Sequence, residues 1–544
     1  MLADKTVKVK IETVPMEKLP LLRGRQTSFE SVAEMIVARA REIPDKPHVL
    51  FYDQTITYGQ TNERSNRVAN FLKTRGIKKG DVVSLLVLNS PEVYYIMFGI
   101  QKLGAIAGAI NFMLQGPEIA YLLDDSKPAV VFVGSEFMKP FVAGYEQAKH
   151  KPLIIEVKTG VEHGITLNQL DFASILKDCP ADEAFVRQDP SDPFLLLYSS
   201  GTTGRPKGIM LKNGGQLSIC RSMASIGLVH EGDVMLLLLP MFHVNPICVW
   251  TYPIIYCGQT VSIRKAFSPN DVWGPILDHG VSILMGVPAM YAFVLYTVDP
   301  ATIDRSRLKL KYAFCGAAPM PVDLINTFKE KFDVEIIEGY GLTEGTGVST
   351  VNPPLGKRKP GSIGVALPEQ DVRILDDNNN ELPAGEKGEI CVKGDAVMIG
   401  YLNQDAATKE TLKDGWLHTG DMAYMDEEGF MFIVDRKKDM INRGGENIYP
   451  REVEMAIETN PKVREVSVIG VHDPALGERV KAYIIAKEPG TLTYEELKDF
   501  LKDKLARYKI PSEVEFVNDL PRTPTGKILK KELRRMEDEK RLKE

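Results

Sequence analysis

The chain has no CxxC pair; its six cysteines, Cys179, Cys220, Cys248, Cys257, Cys315 and Cys391, are scattered along 544 residues. Neither a disulfide framework nor a zinc cluster fits that spacing, so a reducing, cytoplasmic setting is expected. A basic excess is also missing. The 67 Lys and Arg stand against 73 Asp and Glu, a formal net charge of −6, whereas a nucleic-acid binder usually carries a basic face. Met1 to Gly24 mixes charges and prolines and lacks the apolar core of a signal peptide. One stretch free of Asp, Glu, Lys and Arg, Met235 to Gly258, is long enough to cross a bilayer. Pro240, Pro246 and Pro253 interrupt it and His243 and Asn245 lie within it, so a buried strand followed by a core helix is expected, with no transmembrane span. Peripheral membrane contact and oligomeric state stay open.

What is present reads as a globular protein of more than one domain, with 44% hydrophobic and 26% charged residues. Val82 to Leu88 is a short, nearly all-apolar run, as expected of a strand covered on both faces. Pro91 then opens a helical stretch, and Ala105 to Ile110 reads as the next strand, making one βαβ unit. Strand-like runs recur at Ala129–Val133, Leu195–Tyr198, Ser282–Met285 and Tyr312–Cys315. The alternation predicts an α/β fold of mainly parallel sheets layered with helices. The character changes after Asp435. Beyond the cluster Arg436-Lys437-Lys438-Asp439 a small α+β pattern begins. Val453, Ala456 and Ile457 share a helical face, Val463–Val471 and Val480–Ala486 read as strands, and Leu497, Phe500, Leu501 and Leu505 recur at helical spacing. The tail from Leu529 to Glu544 reads as a charged helix with a solvated face.

The densest chemistry lies in Tyr198-Ser199-Ser200-Gly201-Thr202-Thr203-Gly204-Arg205-Pro206-Lys207-Gly208, directly after an apolar strand. Glycines let backbone N–H groups approach an anion closely, and the hydroxyls and Lys207 supply further donors to phosphate oxygens. A P-loop it is not, because Pro206 stands where that pattern requires Gly before the lysine.

With this loop, the chain resembles the adenylate-forming enzymes: acyl-CoA synthetases, peptide-synthetase adenylation domains and beetle luciferases. Further blocks carry the resemblance in order: Leu239-Pro240-Met241-Phe242-His243, Gly339-Tyr340-Gly341-Leu342-Thr343-Glu344, Gly415-Trp416-Leu417-His418-Thr419-Gly420-Asp421, Asp435-Arg436-Lys437-Lys438-Asp439, Gly444-Gly445-Glu446-Asn447 and Pro524-Thr525-Gly526-Lys527. The resemblance implies an N-terminal AMP-binding domain over 1–437, with layered sheets and a smaller β subdomain, and a mobile α+β lid over 438–544. It implies ATP, Mg²⁺ and coenzyme A. A carboxylate attacks the α-phosphate and expels pyrophosphate, and CoA thiolate then attacks the acyl-adenylate.

Roles follow by resemblance, residue by residue. Ser199, Ser200, Gly201, Thr202, Thr203, Gly204 and Lys207 would hold the phosphates. Thr343 would donate to the α-phosphate and Glu344 would ligate Mg²⁺, an ion that suits one carboxylate with phosphate oxygens and waters. Glu338, Gly339 and Tyr340 would flank adenine, with Tyr340 stacked on it and Gly316-Ala317-Ala318 on the other side. Asp421 and Arg436 would bind ribose, and Lys438 would be the hinge, with Lys437 no more than solvated linker. Gly444, Gly445 and Glu446 would line the CoA tunnel; Arg443 beside them reads as a surface arginine rather than a CoA-phosphate ligand. Lys527 would stabilise charge on the phosphoryl oxygens during adenylation. His243 is either an aromatic gate beside the acyl pocket or a buried histidine bonded to backbone.

Among the adenylating classes, an amino-acid-activating domain commonly has an acidic residue where His243 stands, and no carrier domain is expected after Lys527. A luciferase-like or other adenylating enzyme, or a non-catalytic binding protein of the same fold, remains the alternative. Relatives specific for acetate close the acyl pocket with a tryptophan where Gly341 stands, so with Gly316 and His243 this position is expected to border a pocket for a larger acid, whether medium- or long-chain fatty, alicyclic or aromatic.

Overall fold

Short apolar strands alternating with helices build two large sheets, one of nine strands and one of eight. This is a computed structural model, and it describes residues 11–165, 167–199, 206–318, 320–443, 446–473, 476–522 and 528–541. By internal contacts the chain forms two compact units, Met1–Val372 with Cys391–His418, and Arg373–Ile390 with Thr419–Glu544. Lys438 falls inside the second.

In the first unit, Val82–Leu86 and Ile106–Ala109 pair in parallel and are joined by the helix Pro91–Lys102, the βαβ unit expected from sequence. That helix is buried around nearly its whole circumference, Lys102 included. Lys102 Nζ donates to Asn62 Oδ1 at 2.6 Å and Asn66 Oδ1 at 2.5 Å, and burial pushes its pKa down to about 7. At the other end of this sheet Pro193–Ser199 and Lys207–Lys212 pair antiparallel, with Ser199 opposite Lys207, and Gly400–Tyr401 adds the edge.

The nine-stranded sheet is parallel through Thr260–Ile263, Val234–Leu237, Ile283–Gly286, Tyr312–Cys315 and Glu335–Tyr340. The apolar stretch after Met235 is indeed strand and buried helix, with one difference. Asn245–Thr251 is a π-helix that runs into the α-helix Tyr252–Tyr256. Pro253 has no N–H to give to Val249 O, so the α-helical ladder cannot continue through it, and Tyr252 N–H reaches back to Ile247 O instead. No helix of the described residues is long and apolar enough to cross a membrane.

The second unit contains a five-stranded sheet that includes Val463–Asp473 and Gly477–Ala486. Ile441, Ile448, Val453, Ile457, Val468 and Leu501 make its core. The predicted helix around Leu497 ends at Leu501, although Leu505 still packs on the same cluster. The tail is helical over Lys530–Arg541, but it is no solvated appendage. Leu533 is buried in a cluster with Ile469, Tyr483 and Leu520, and Lys530, Arg534 and Glu537 pair with Glu454, Asp439 and Lys481. A charged composition concealed one docked face.

Candidate active site

Glu335–Tyr340 ends at the carboxyl edge of the parallel sheet, where ligands of α/β proteins commonly bind. The chain then turns tightly through the 3₁₀ segment Thr343–Gly345, with Thr346 at φ 56° and Gly347 at φ 99°. Gly347 N–H donates to Leu342 O at 2.9 Å and Ser349 N–H to Tyr340 O at 2.8 Å, which fixes Thr343 and Glu344 on the turn. Glu344 Oε1 accepts from Tyr401 OH at 2.9 Å, and Glu344 O accepts from Met398 N–H at 2.8 Å. Lys207 Nζ lies 4.6 Å from the centroid of the same Tyr401 ring, a cation–π distance. Pairing of Gly400–Tyr401 with Lys207–Lys212, Tyr401 opposite Ile209, brings these groups together. Thus Lys207 and Glu344, both singled out from sequence, share one neighbour. Tyr401 itself was missed, since it sits in no charged or glycine-rich motif and its partners are remote in sequence.

Glu338 precedes this turn. The residue is 9% exposed, and its carboxylate accepts from Gly361 N–H at 2.9 Å and is pushed by burial up to a pKa of about 7. Tyr340 is buried. Gly316 comes so close to the neighbouring strand that a Cβ would stand 3.2 Å from Gly339 O, and Ala317, exposed like Ala318, takes φ 69°, an unfavourable value for a non-glycine residue.

Beside these segments is a cavity of about 40 Å³ lined by Val244, Asn245, Val249, Phe314, Gly316, Ala317, Gly339, Gly341, Gly347 and Val348. Gly341 is on its wall, but the expected reason for its being glycine needs correction. A Cβ at 341 would stand 2.4 Å from Gly347 O and 2.5 Å from Val348 Cα, so the direction a tryptophan would take is filled by backbone. Half-buried His243 is not among the lining residues; its N–H donates to Pro240 O at 3.1 Å and its ring lies 4.2 Å from that of Phe242. Asn89 braces that turn, donating to Leu239 O and accepting from Met241 N–H.

Antiparallel pairing of Trp416–Met425 with Met431–Arg436 puts Asp421 opposite Arg436, both in the second unit, and Arg436 Nε donates to Asp421 Oδ1 at 2.7 Å. Asp421 is buried and Arg436 exposed. Lys437, read from sequence as mere linker, instead bridges Asp377 at 2.7 Å and Glu389 at 3.2 Å. Lys438 is exposed in the 3₁₀ turn Lys437–Asp439. Glu446 is exposed opposite Arg443, whose Nη1 donates to Tyr508 O. Ser200, Gly201, Thr202, Thr203, Gly204, Gly444, Gly445 and Lys527 lie outside the described residues. The flanks of the Lys527 segment, Arg522 and Ile528, form an antiparallel bridge.

Comparison with known proteins identifies the family. Residues 36–402 match the AMP-binding enzyme family, and residues 452–527 match the AMP-binding enzyme C-terminal domain. A feruloyl-CoA synthase from an Amycolatopsis species is 35% identical over 500 residues, 92% of this chain and 97% of the relative. The long-chain-fatty-acid–CoA ligase FadD13 of Mycobacterium tuberculosis is 36% identical over 483 residues, 89% of this chain and 93% of the relative. Among solved structures, the anthranilate CoA ligase AuaEII with anthranoyl-AMP gives a TM-score of 0.84 at 28% identity, covering 96% of this chain and 99% of that one. The chain belongs to the AMP-binding enzyme family, in the acyl-CoA synthetase group of the adenylate-forming superfamily.

Proposed function

We propose that this protein is an ATP-dependent acid:CoA ligase for a carboxylic acid larger than acetate, working in the cytoplasm. The observation that carries it is the convergence of Lys207, Tyr401 and Glu344 at the carboxyl edge of a sheet, beside a cavity with mainly apolar walls. A carboxylate oxygen of the acid bonds to the α-phosphorus of ATP as the bond to the bridging oxygen breaks and pyrophosphate leaves. CoA thiolate then bonds to the acyl carbon and AMP leaves with the electron pair. Both steps move charge rather than protons between side chains, so positioned cations and donors are the catalytic need. Glu344 suits Mg²⁺: it offers a half-buried carboxylate held by one hydroxyl, and a hard cation takes such an oxygen together with phosphate oxygens and waters. When bound, the ion would neutralise charge on the triphosphate. Lys207 would donate to those oxygens, and Tyr401 would orient the Glu344 carboxylate.

A larger acid is favoured by the names of the relatives, feruloyl, long-chain fatty and anthranoyl, now that Gly341 no longer argues for it. The six cysteines are free thiols, five of them buried, which suits a reducing compartment. The test is a panel of carboxylic acids from acetate to long-chain and aromatic acids, followed by pyrophosphate release and by acyl-CoA formation with and without CoA. The expected result is AMP and acyl-CoA in equal amounts with a larger acid. Pyrophosphate release without any thioester would overturn the ligase reading, and a preference for acetate would overturn the size of the acid.

A further inference from the structure

The contact of Lys207 with Tyr401 is gripped from behind by one helix of the same unit. Tyr198 lies opposite Gly208, the residue after Lys207, in the antiparallel pair. Packing there is close: a Cβ at Gly208 would stand 3.1 Å from Tyr198 Cζ and 3.2 Å from Leu402 Cβ. The Tyr198 ring and Leu402, the residue after Tyr401, therefore meet over Gly208. The hydroxyl of that ring donates to Asp125 Oδ2 at 2.7 Å. Burial first, and then the Asp125 carboxylate, raise the Tyr198 pKa, so the hydroxyl stays a donor. Asp125 belongs to the helix Gly116–Ser126, and Tyr121, four residues earlier on the same face, donates to Pro206 O at 3.1 Å. From the other strand Asn403 Nδ2 donates to Asp125 O at 3.0 Å. One helical turn thus holds the chain on both sides of Lys207 and just beyond Tyr401. Ile119, Leu122 and Leu123 already pack this helix into an apolar cluster, so the polar grip adds direction rather than burial.

We propose that Asp125 is a positioning residue for adenylation: by fixing the Tyr198 ring it sets Lys207 against Tyr401, and through Tyr401 it sets the aim of Glu344. The proposal rests on the ligase reading given above, in which Lys207 and Glu344 serve the triphosphate and its metal ion. Asp125 acts only through the residues it holds. A displacement of about 1 Å in a group that faces the substrate can cost on the order of a hundredfold in rate. The demand falls on one half-reaction. Once pyrophosphate has left, most of the phosphate oxygens for which Lys207 and Glu344 are placed are gone, and the thioester step depends on Asp125 far less.

The test uses the full-length protein and an acid that the panel above shows to be used. Pyrophosphate release is measured apart from thioester formation from supplied acyl-AMP and CoA. Asp125→Ala is expected to lower kcat/KM for ATP about tenfold to a hundredfold, with the KM for the acid and the thioester step nearly unchanged. Asp125→Asn keeps an acceptor oxygen for the Tyr198 hydroxyl and is expected to recover most of the loss. Tyr198→Phe removes one oxygen and leaves the ring on Gly208. It is expected to match Asp125→Ala, and the double variant to be no slower than either alone, because both break one link. Should Asp125→Ala not fold, Tyr198→Phe decides alone. An unchanged kcat/KM for ATP in Tyr198→Phe overturns the proposal, and so do losses that add in the double variant. Equal slowing of both half-reactions, or no recovery in Asp125→Asn, marks a residue that only stabilises the fold and overturns it too. If the wild type releases pyrophosphate with no acid, the ligase reading itself fails, which is a different result from an active enzyme indifferent to Asp125.

Discussion

Glu338 shows how one residue next to the candidate site can tie stability to pH. Burial, only partly offset by Gly361 N–H, holds its carboxyl near pKa 7 against an ordinary 4.5. Below pH 4.5 the folded and unfolded chains both carry this proton. Between 4.5 and 7 the folded chain keeps it while the unfolded chain loses it, so stability drains away as pH rises through that window. Above pH 7 the cost of ionising a buried group is felt in full, about 3 kcal/mol at most. Glu338→Gln keeps an acceptor for Gly361 N–H and removes the charge. It is expected to unfold at a higher temperature than the wild type at pH 8 and at nearly the same temperature at pH 4.5. Melting curves at both pH values check this, and a variant that gains nothing at pH 8 would mean the carboxylate is better satisfied than its burial implies. Gly341 makes the complementary point about space. Gly341→Ala drives a Cβ into the Gly347–Val348 backbone, so a loss of about 1–3 kcal/mol in denaturant titration is expected, with lower adenylation rates because the Thr343–Gly345 turn hangs from the same segment.

At the scale of elements, what could be read from sequence was what burial writes into composition. Strands covered on both faces are apolar throughout, so Val82–Leu86 and Tyr312–Cys315 stood out within a residue or two. The π-helix did not, because Pro246 and Pro253 announce an interruption without saying how the backbone resolves it. The tail was misread for a related reason. Within Lys530–Arg541 only Leu533 and Met536 are apolar, too few for a clear stripe, while the ion pairs that dock it are made to residues far back in the chain. The docked face and the free face can be told apart. Leu533→Ala empties a buried site and is expected to cost about 2–4 kcal/mol. Arg535→Ala loses exposed pairs to Glu532 and Glu539 and is expected to leave stability nearly unchanged. Equal effects of the two substitutions in urea unfolding would return the helix to the solvated tail that its composition suggests.

For the whole molecule, the order of the motifs was legible and the distances between them were not. Lys207, Tyr340, Thr343 and Glu344 belong to the first unit, and Asp421, Arg436, Lys438 and Lys527 to the second. Sequence could name Lys207 and Glu344, but only the fold disclosed that Tyr401 links them. The proposal that one lysine serves one half-reaction is testable without any assumption about how the units are arranged. Lys527 sits in Pro-Thr-Gly-Lys, in the sequence between Arg522 and Ile528, two described residues that bridge antiparallel. An ammonium on a long stem suits the phosphoryl oxygens of a phosphorus under attack, whereas in the second step no bond to phosphorus changes and charge builds first on the acyl oxygen, reaching the phosphate only as AMP departs. Lys527→Ala is therefore expected to slow adenylate formation by about 10²–10³, the usual loss for one preorganised donor. Reaction of supplied acyl-AMP with CoA should fall much less. Lys438→Pro asks the same question of the hinge. Proline fixes φ near −65°, close to the 3₁₀ conformation of this turn, and resists rotation away from it. One half-reaction should then fail while the other survives. Measuring each half-reaction separately for both variants decides the matter. Equal damage to the two steps in Lys527→Ala would make the lysine structural, and two intact half-reactions in Lys438→Pro would leave this protein without a hinge at that residue.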